Sequence, residues 1–553
     1  IARRIWIAVA LVVIVLLAAG AWLAFKALTV KNELEAARAQ VAVVQDGGDV
    51  EPALASMGVH AKAATDAAND PVWKVFEFLP VAGDNLRAVR LAAESLNVLS
   101  NDLALPILKD DGSGTGITAR AMPIMLVTAP RIQALADEVE AAAASPFLIG
   151  PVRDGIDQVA EVIVPAAPMV ASVPTLLGAE APMDYLLVFQ NNAETLPLGG
   201  SAASQTLMNV DKGSLQIINQ AGSGDFDNGN SVDVEIDQSA IDLFSEYLRS
   251  HVNTSVSRPD FPTAARVLTS FWNRDIDQTE IDGVISVSPL ALQRILKATG
   301  PIQVGDIELN DTNAVKILLS EAYSRFDPKV SDVFFALAAV EVFNRVGSGQ
   351  FNPKAMIWAV TGSIENGGIM VDSEDSAIAP LIEDQRVAGV LPTSNDTATT
   401  VGVFFRDTSA SKIDFYMKSS AAVIGTCEAG TSTFAVSSGL HLDITQDAAD
   451  DLPQYVKSQH WGSEKFRTEV FVYGPPGTAF GSATVDGVDI RPLRTDIVDL
   501  GRPVAMFETF LAPGESATVN ATFTGTGTFG PLELRTTPMI NATETVLEGA
   551  PCT

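Results

Sequence analysis

The sequence predicts a multidomain α+β protein: an N-terminal transmembrane helix, a helical stalk, a central α/β head and a C-terminal antiparallel β-sandwich. Three observations carry that expectation. The chain opens on a run without charge, an Ala-rich region of helical periodicity follows, and the apolar period switches to two from about residue 396. At 553 residues the chain is too long for one ordinary core, so several domains are expected.

Composition narrows the class. Apolar residues make up 47% of the chain, which rules out bulk disorder. Lys plus Arg number 36 against 67 Asp plus Glu, a net charge of -31. That balance excludes a nucleic-acid binder, because few cations are present to neutralise a run of phosphates. Two Cys and four His argue against zinc, haem and iron–sulfur chemistry.

Ile5 to Phe25 carries no charge and is long enough to cross about 30 Å of hydrocarbon as a helix. Trp6 lies at one end, and Trp22 and Phe25 near the other, where amphipathic rings favour the interface. Ala19-Gly20-Ala21 is a candidate cleavage site, but the run exceeds the roughly 7–15 residues of a signal sequence. No later window matches it in length and apolarity. Arg3 and Arg4 favour a cytoplasmic N-terminus, with Lys26 and Lys31 weakening the asymmetry. The expected location is therefore a single-pass membrane protein with an acidic extracytoplasmic body. Cys427 and Cys552 both fall in that body; in an oxidising compartment an even pair suggests one disulfide, the alternative being two buried thiols.

Val30, Leu34, Ala37, Val41 and Val44 form one apolar seam on a helix leaving the anchor, and Asp46-Gly47-Gly48-Asp49 ends it. Residues 50–105 and 118–172 read as helices broken at Pro71, Pro80, Pro106, Pro123 and Pro151, with Gly112 to Gly116 as a flexible loop. The expected divisions are an anchor over 1–28, a stalk over 29–180, a head over 181–392 and a sandwich over 393–553. In the head, Tyr185–Phe189 and Val284–Val287 read as buried strands. Helical patterns cover Ser239–Leu248, Phe261–Trp272, Pro289–Ala298, Thr312–Phe326 and Val330–Val346, with Thr312 and Ser331 as N-caps. Alternation at Val401-Val403-Phe405, Ile413-Phe415-Met417, Leu440-Leu442-Ile444, Val470-Val472 and Ala517-Val519-Ala521-Phe523 predicts the sandwich, with turns at Gly474–Gly477 and Asp486-Gly487.

Few constellations promise chemistry. Gly525-Thr-Gly527-Thr-Phe-Gly530 spells a dinucleotide pattern, but Pro531 and a strand-like run follow where a helix is required. Ser409-Ala-Ser-Lys412 spells a Ser-x-x-Lys motif between strands, without its Lys-Thr-Gly partner. Asp225, Asp227 and Asp233 lie in an oxygen-rich turn, a weak candidate for Mg²⁺ or Ca²⁺ against the commoner solvated loop; no other cofactor is indicated. Asp372-Ser-Glu374-Asp375 also reads as a solvated loop. The segment after the first head strand is more informative: Asn191, Asn192, Glu194, Gly199 and Gly200 sit where α/β domains gather ligands. Amides and a carboxylate there suit a sugar or a phosphate-bearing headgroup, and the structural alternative is a hydrogen-bonded turn. Arg258 can clamp a phosphate with Asp260 orienting it, or the two can form a local pair at the next helix.

These segments carry a resemblance. Gln190-Asn-Asn-Ala-Glu194 with Gly199-Gly200, Arg258-Pro-Asp-Phe-Pro-Thr-Ala-Ala265, Asp282-Gly-Val-Ile-Ser-Val287, Thr299-Gly-Pro301 and Asn313-Ala-Val resemble domain of unknown function 4012. Ser411-Lys-Ile-Asp-Phe-Tyr416 and Leu452-Pro-Gln-Tyr-Val456 also look like it. The resemblance implies a membrane-anchored envelope protein of actinobacterial type and implies no activity. Ile281–Ser288 followed by Leu296–Val304 is more distantly similar to LytR-CpsA-Psr phosphotransferases, which transfer lipid-linked glycopolymers to the cell wall. That family uses Arg and Asp around a pyrophosphate and Mg²⁺. Here Ser201-Ala-Ala-Ser204 stands in place of an Arg-x-Asp run, leaving Arg258, Arg274 and Arg325 as cation candidates.

The expectation is therefore a non-catalytic or weakly catalytic binding and assembly module for an envelope glycopolymer, a lipid-linked glycan or a partner protein. The alternatives are a divergent Mg²⁺-dependent phosphotransferase and a self-associating surface protein.

Overall fold

The structure, a computed structural model, describes residues 2–45, 50–109, 116–383, 385–487 and 490–552. The expected loop at 112–115, the break at 46–49 and the two residues after Gly487 lie outside them. The chain forms two compact units. The first holds Ile1–Pro182 with Val210–Ser214 and Gly347–Gly349; the second holds Met183–Asn209, Leu215–Val346 and Gln350–Thr553. The residues expected as anchor and stalk thus share one unit, and those expected as head and sandwich share most of the other.

The first unit is a helical bundle of α1 (Ala2–Gln45), α2 (Val50–Ala68), α3 (Pro71–Phe76), α4 (Ala82–Asn97), α5 (Ile117–Ala143) and α6 (Gly150–Leu176). The charge-free run lies within α1; the side chains of residues 1–13, 15 and 16 are outside the described set. Val30 and Ala37 of the seam are buried, and Val30 shares a cluster with Ala64, Ala67, Ala68 and Trp73. Over its described positions the seam therefore finds its partner within the chain, where alanines allow close helix approach; the side chains of Val41 and Val44 lie outside the described set. The expected break at Pro123 does not occur: Pro123 and Pro130 lie inside α5, and Pro165, Pro168 and Pro174 inside α6. A proline removes one helical N–H, but Ile132, Leu135 and Val139 of α5 bury against Leu91 of α4 and Ile156 and Ile163 of α6, and that packing holds both helices together. Pro71 and Pro151 begin helices, where no N–H partner is lost. Among the described residues one helix, α6, is long and apolar enough to cross a membrane by length and composition, although it carries Arg153, Asp154, Asp157 and Glu161 where Ile5 to Phe25 carries no charge.

The second unit starts with a five-stranded sheet. Its strands are β1 (Met183–Leu196), β2 (Gly199–Asp211), β3 (Ser214–Gly222), β4 (Gly283–Val287) and β5 (Ile369–Asp372), in the order β3-β2-β1-β4-β5. β1 and β4 are parallel, with Tyr185 opposite Gly283 and Phe189 opposite Val287, whereas β5 runs antiparallel to β4. Helix α7 (Phe261–Asp275) covers one face, burying Phe261, Leu268, Phe271 and Trp272 with Leu186 and Val188. On the other side, α8 (Pro289–Thr299) and α9 (Pro328–Gly347) contribute Leu292, Leu296, Phe334 and Ala338 to a second core. Three local expectations need correction. Asn313, not Thr312, precedes the helix at Ala314, because Thr312 bonds the Asn310 side chain instead; Ser331 lies inside α9 rather than at its cap. The segment expected as one helix over Ser239–Leu248 splits at Ser245, whose φ is 67°.

Two further five-stranded sheets form the C-terminal half. One runs β11 (Ile490–Asp499), β12 (Arg502–Leu511), β9 (Phe466–Tyr473), β6 (Thr399–Asp407) and β14 (Leu532–Thr536). The other runs β10 (Ala479–Gly487), β13 (Ser516–Thr526), β8 (Thr431–Leu442), β7 (Met417–Glu428) and β15 (Glu544–Gly549). Val401, Val403 and Phe405 of the first share one core with Val423, Phe434 and Phe523 of the second, as period-two burial requires. The sheets are not wholly antiparallel, since the edge strands β14 and β15 join in parallel. Ile413 and Phe415 do not alternate on a strand; residues 413–416 are a 3₁₀ turn. Gly525–Gly530 runs from the end of β13 into irregular chain, with no helix after it. Cys427 and Cys552 are joined by a disulfide across 125 positions.

Candidate functional site

Phe189 pairs with Val287, the last residue of β4, so Gln190 and Asn191 stand just beyond the parallel pairing. There a cavity of about 60 Å³ opens, room for roughly four waters. Its walls are Phe189, Ala203, Leu292, Leu319, Tyr323 and Phe335, with Asn191, Ser204 and Ser288 as polar points. Among the described residues lining it, none is charged. Ser288 caps α8 by accepting the Ala291 N–H at 3.2 Å. Tyr323 donates its hydroxyl to Asn191 Oδ1 at 3.0 Å, and the Ala193 N–H donates to the same oxygen at 3.2 Å. Both bonds orient the Asn191 amide with its oxygen satisfied, which leaves its NH₂ to donate.

The neighbouring candidates are engaged internally. Asn192 is fully buried and donates to the Pro538 carbonyl at 2.9 Å, its own Oδ1 lacking a partner. Glu194 is held by Lys412 and by the Ser201 hydroxyl. A Cβ on Gly200 would run into the Asn191 carbonyl, and one on Gly199, whose φ is 133°, into the Gln190 amide. The glycine pair thus lets the β1–β2 hairpin close on itself and does not open the backbone to a ligand.

Arg258 does not face the cavity. It is buried, bonding Asp499 at 2.7 Å, Asp237 at 2.7 Å and Asp260 at 3.2 Å. Tyr473 and Ser239 donate their hydroxyls to the same Asp499 carboxylate, at 2.9 and 2.7 Å. Burial opposes the guanidinium charge, but Asp499 outweighs it and holds the group above its ordinary pKa. Asp260 pairs with Arg258 as the local alternative had it, and also accepts the Thr263 hydroxyl at 2.5 Å. Arg258 is therefore a clamp from the α/β layer onto strand β11.

The Ser-x-x-Lys segment builds a second internal network. Ser409 and Ser411 both donate to the buried Asp407, and the Thr195 N–H donates to the buried Asp414 at 2.8 Å. Burial raises both carboxyls, and Asp407 raises Asp414 further. Burial also pulls the Lys412 ammonium down to about 8. These residues escaped notice in the sequence as a set because they meet only when β1 packs beside β6; the closely spaced Asp407, Ser409, Ser411 and Asp414 were the available signal.

The remaining candidates lie apart. Arg325 is half exposed and bonds Glu321 on its own helix, and Arg274 holds Asp275 and the carbonyls of Asn230 and Asp227. Asp225 accepts the Gly222 N–H and Asp227 the Asn230 amide, each at 2.8 Å. Asp225 and Asp227 do not converge with Asp233, and among the described residues no group of three or more His, Cys, Asp or Glu is placed to hold a metal ion. Asp372 is not a solvated loop residue; burial pushes its carboxyl to about 6.

The fold and site define a two-unit protein whose α/β sheet carries an uncharged, amide-edged cleft. Residues 180–323 match the family described as protein of unknown function (DUF4012). Two solved structures are similar at low level. The Lin1025 protein from Listeria innocua is 16% identical over 40% of this chain and 84% of its own, with a TM-score of 0.22. The transcriptional regulator yvhJ from Bacillus subtilis is 11% identical over 39% and 84%, also at 0.22. No curated protein matches the chain.

Proposed function

We propose that this chain is a single-pass, extracytoplasmic envelope protein whose α/β head binds an uncharged group of a glycopolymer and does not transfer a lipid-linked diphosphate. The observation that carries the reading is the cleft: its described lining holds no charge, while Arg258 is locked on Asp499. A diphosphate needs cations or a metal to neutralise it. The cleft offers instead an apolar floor and an amide donor at Asn191, which suits a methyl group beside a carbonyl. The acetamido group of an amino sugar has that chemistry. The disulfide and the charge-free run at 5–25 support an extracytoplasmic location.

The test is calorimetric titration of the full chain with a short N-acetylated amino-sugar oligomer and with its de-N-acetylated form. Saturable binding of the acetylated oligomer alone is expected, weakened roughly three- to tenfold by Asn191→Ala, the worth of one hydrogen bond. Equal or absent binding of both forms would overturn the reading. So would Mg²⁺-dependent turnover of a polyprenyl-diphosphate glycan, which would favour the phosphotransferase alternative.

A further inference from the structure

We propose that one rim of the helical bundle, made by the α3–α4 and α5–α6 turns, is seated in the lipid interface beside α1. The inference rests on the reading of residues 5–25 as a membrane span and adds a second point of membrane contact to it.

Two sets of bonds place the rim. Trp22 donates its indole N–H to Asp70 at 3.2 Å, and Lys26 pairs with the same carboxylate at 3.5 Å. The α2–α3 turn is therefore fixed at the last turn of the charge-free run, the level where interfacial aromatics and a first lysine belong. Asn85 then donates to the Phe147 carbonyl at 3.0 Å and accepts the Ile149 N–H at 2.9 Å, while Ser145 bonds Asp84 at 2.7 Å. These bonds bring the α5–α6 turn to the start of α4, at the same end of the bundle.

What this end presents is largely apolar, with the Lys74 ammonium exposed on α3. Phe78 is 89% exposed, and Val75, Leu79, Val81, Phe147 and Ile149 are exposed around it. Leu17, Trp22 and Phe25 of α1 are exposed as well and continue the surface onto the span itself. The carboxylates from the α2–α3 turn to the start of α4 are engaged: Asp70 by Lys26, Glu77 by Arg90 at 2.8 Å, and Asp84 by Ser145. Val81 sits at φ 67°, a conformation that a β-branched residue adopts only at a cost. Leu86 and Val89 share one cluster with Leu23, Ala27 and Val30, so the residues before Ala82 lie further toward the span. An exposed aromatic and aliphatic rim at that height meets headgroups and upper acyl chains first. Lipid is therefore the occupant that the position selects.

The experiment uses the full chain with single cysteines at Phe78, Phe147 or Val59, each carrying an environment-sensitive fluorophore; the native pair is disulfide-bonded and does not compete. Val59 is exposed on α2, nine residues before its end and so about 14 Å up the bundle. The protein is placed in phosphatidylcholine vesicles brominated just below the headgroups, and far-UV circular dichroism checks the fold. Flotation with the vesicles, at least about twofold quenching at 78 and 147, and none at 59 are expected. Flotation without quenching at 78 and 147 overturns the proposal and leaves the span. A blue-shifted emission that bromine does not quench overturns it in favour of a protein covering, such as a second copy. Failure to float overturns the span reading and the proposal together.

Discussion

Replacing Arg258 with Ala removes the one cation that, among the described residues, meets Asp499, whose side chain is fully buried. Asp237 is 68% exposed and rehydrates at little cost, so its share is under about 1 kcal/mol. Asp499 cannot rehydrate. It keeps only the Tyr473 and Ser239 hydroxyls, and an abandoned buried carboxylate costs about 3–5 kcal/mol. The expected loss for Arg258→Ala is therefore about 4 kcal/mol, a large part of the ~5–15 kcal/mol typical of a domain. Removing both charges, as Arg258→Ala with Asp499→Asn, should restore much of it, because no uncompensated buried charge is left and the new amide oxygen can still accept from Tyr473 and Ser239. Urea unfolding followed by tryptophan fluorescence gives the four corners of the cycle, with Trp272 buried in the same unit. A coupling of at least about 2 kcal/mol is expected. An Arg258→Ala protein within 1 kcal/mol of wild type, together with an additive cycle, would refute the clamp and return Arg258 to the ligand candidates.

Three other outcomes follow from the same geometry. Burial raises the Asp414 carboxyl above its unfolded value, so its contribution is complete below the ordinary carboxylate range and is lost as pH rises through the folded value. Asp414→Asn, which keeps an acceptor for Thr195, should gain thermal stability over wild type as pH goes from 4 to 8; a gap independent of pH would contradict this. Gly200→Ala should cost about 3 kcal/mol in urea unfolding, since the new methyl meets backbone on β1 and not a movable side chain. Replacing both cysteines with serine should cost up to about 5 kcal/mol for a loop of 125 residues, with hydrogen exchange rising first in β15, all of whose side chains are exposed.

Much of the architecture was legible in the residues because it depends on period and punctuation. The buried runs at Tyr185–Phe189 and Val284–Val287 became the paired central strands, and the period-two segments from Val401 onward became facing sheets. Two cysteines in one compartment class pointed to their bond. Proline was over-read: at Pro123 a local rule met a three-helix core that outweighs one lost N–H. Parallel addition of β14 and β15 was invisible too, since period two carries no direction.

The site divides along the same line. Local chemistry identified the Gln190–Gly200 segment and the Arg258–Asp260 pair as unusual, and composition alone limited the supply of cations. Only the tertiary structure decided where those groups point. It brought Asp499, 241 positions away from Arg258, to absorb the guanidinium, and Lys412 to absorb Glu194. It also brought Tyr323, 132 positions from Asn191, to aim an amide into an uncharged cleft. Charge neutralisation is a matter of distance through space, and distance through space is what a linear spacing between residues does not contain.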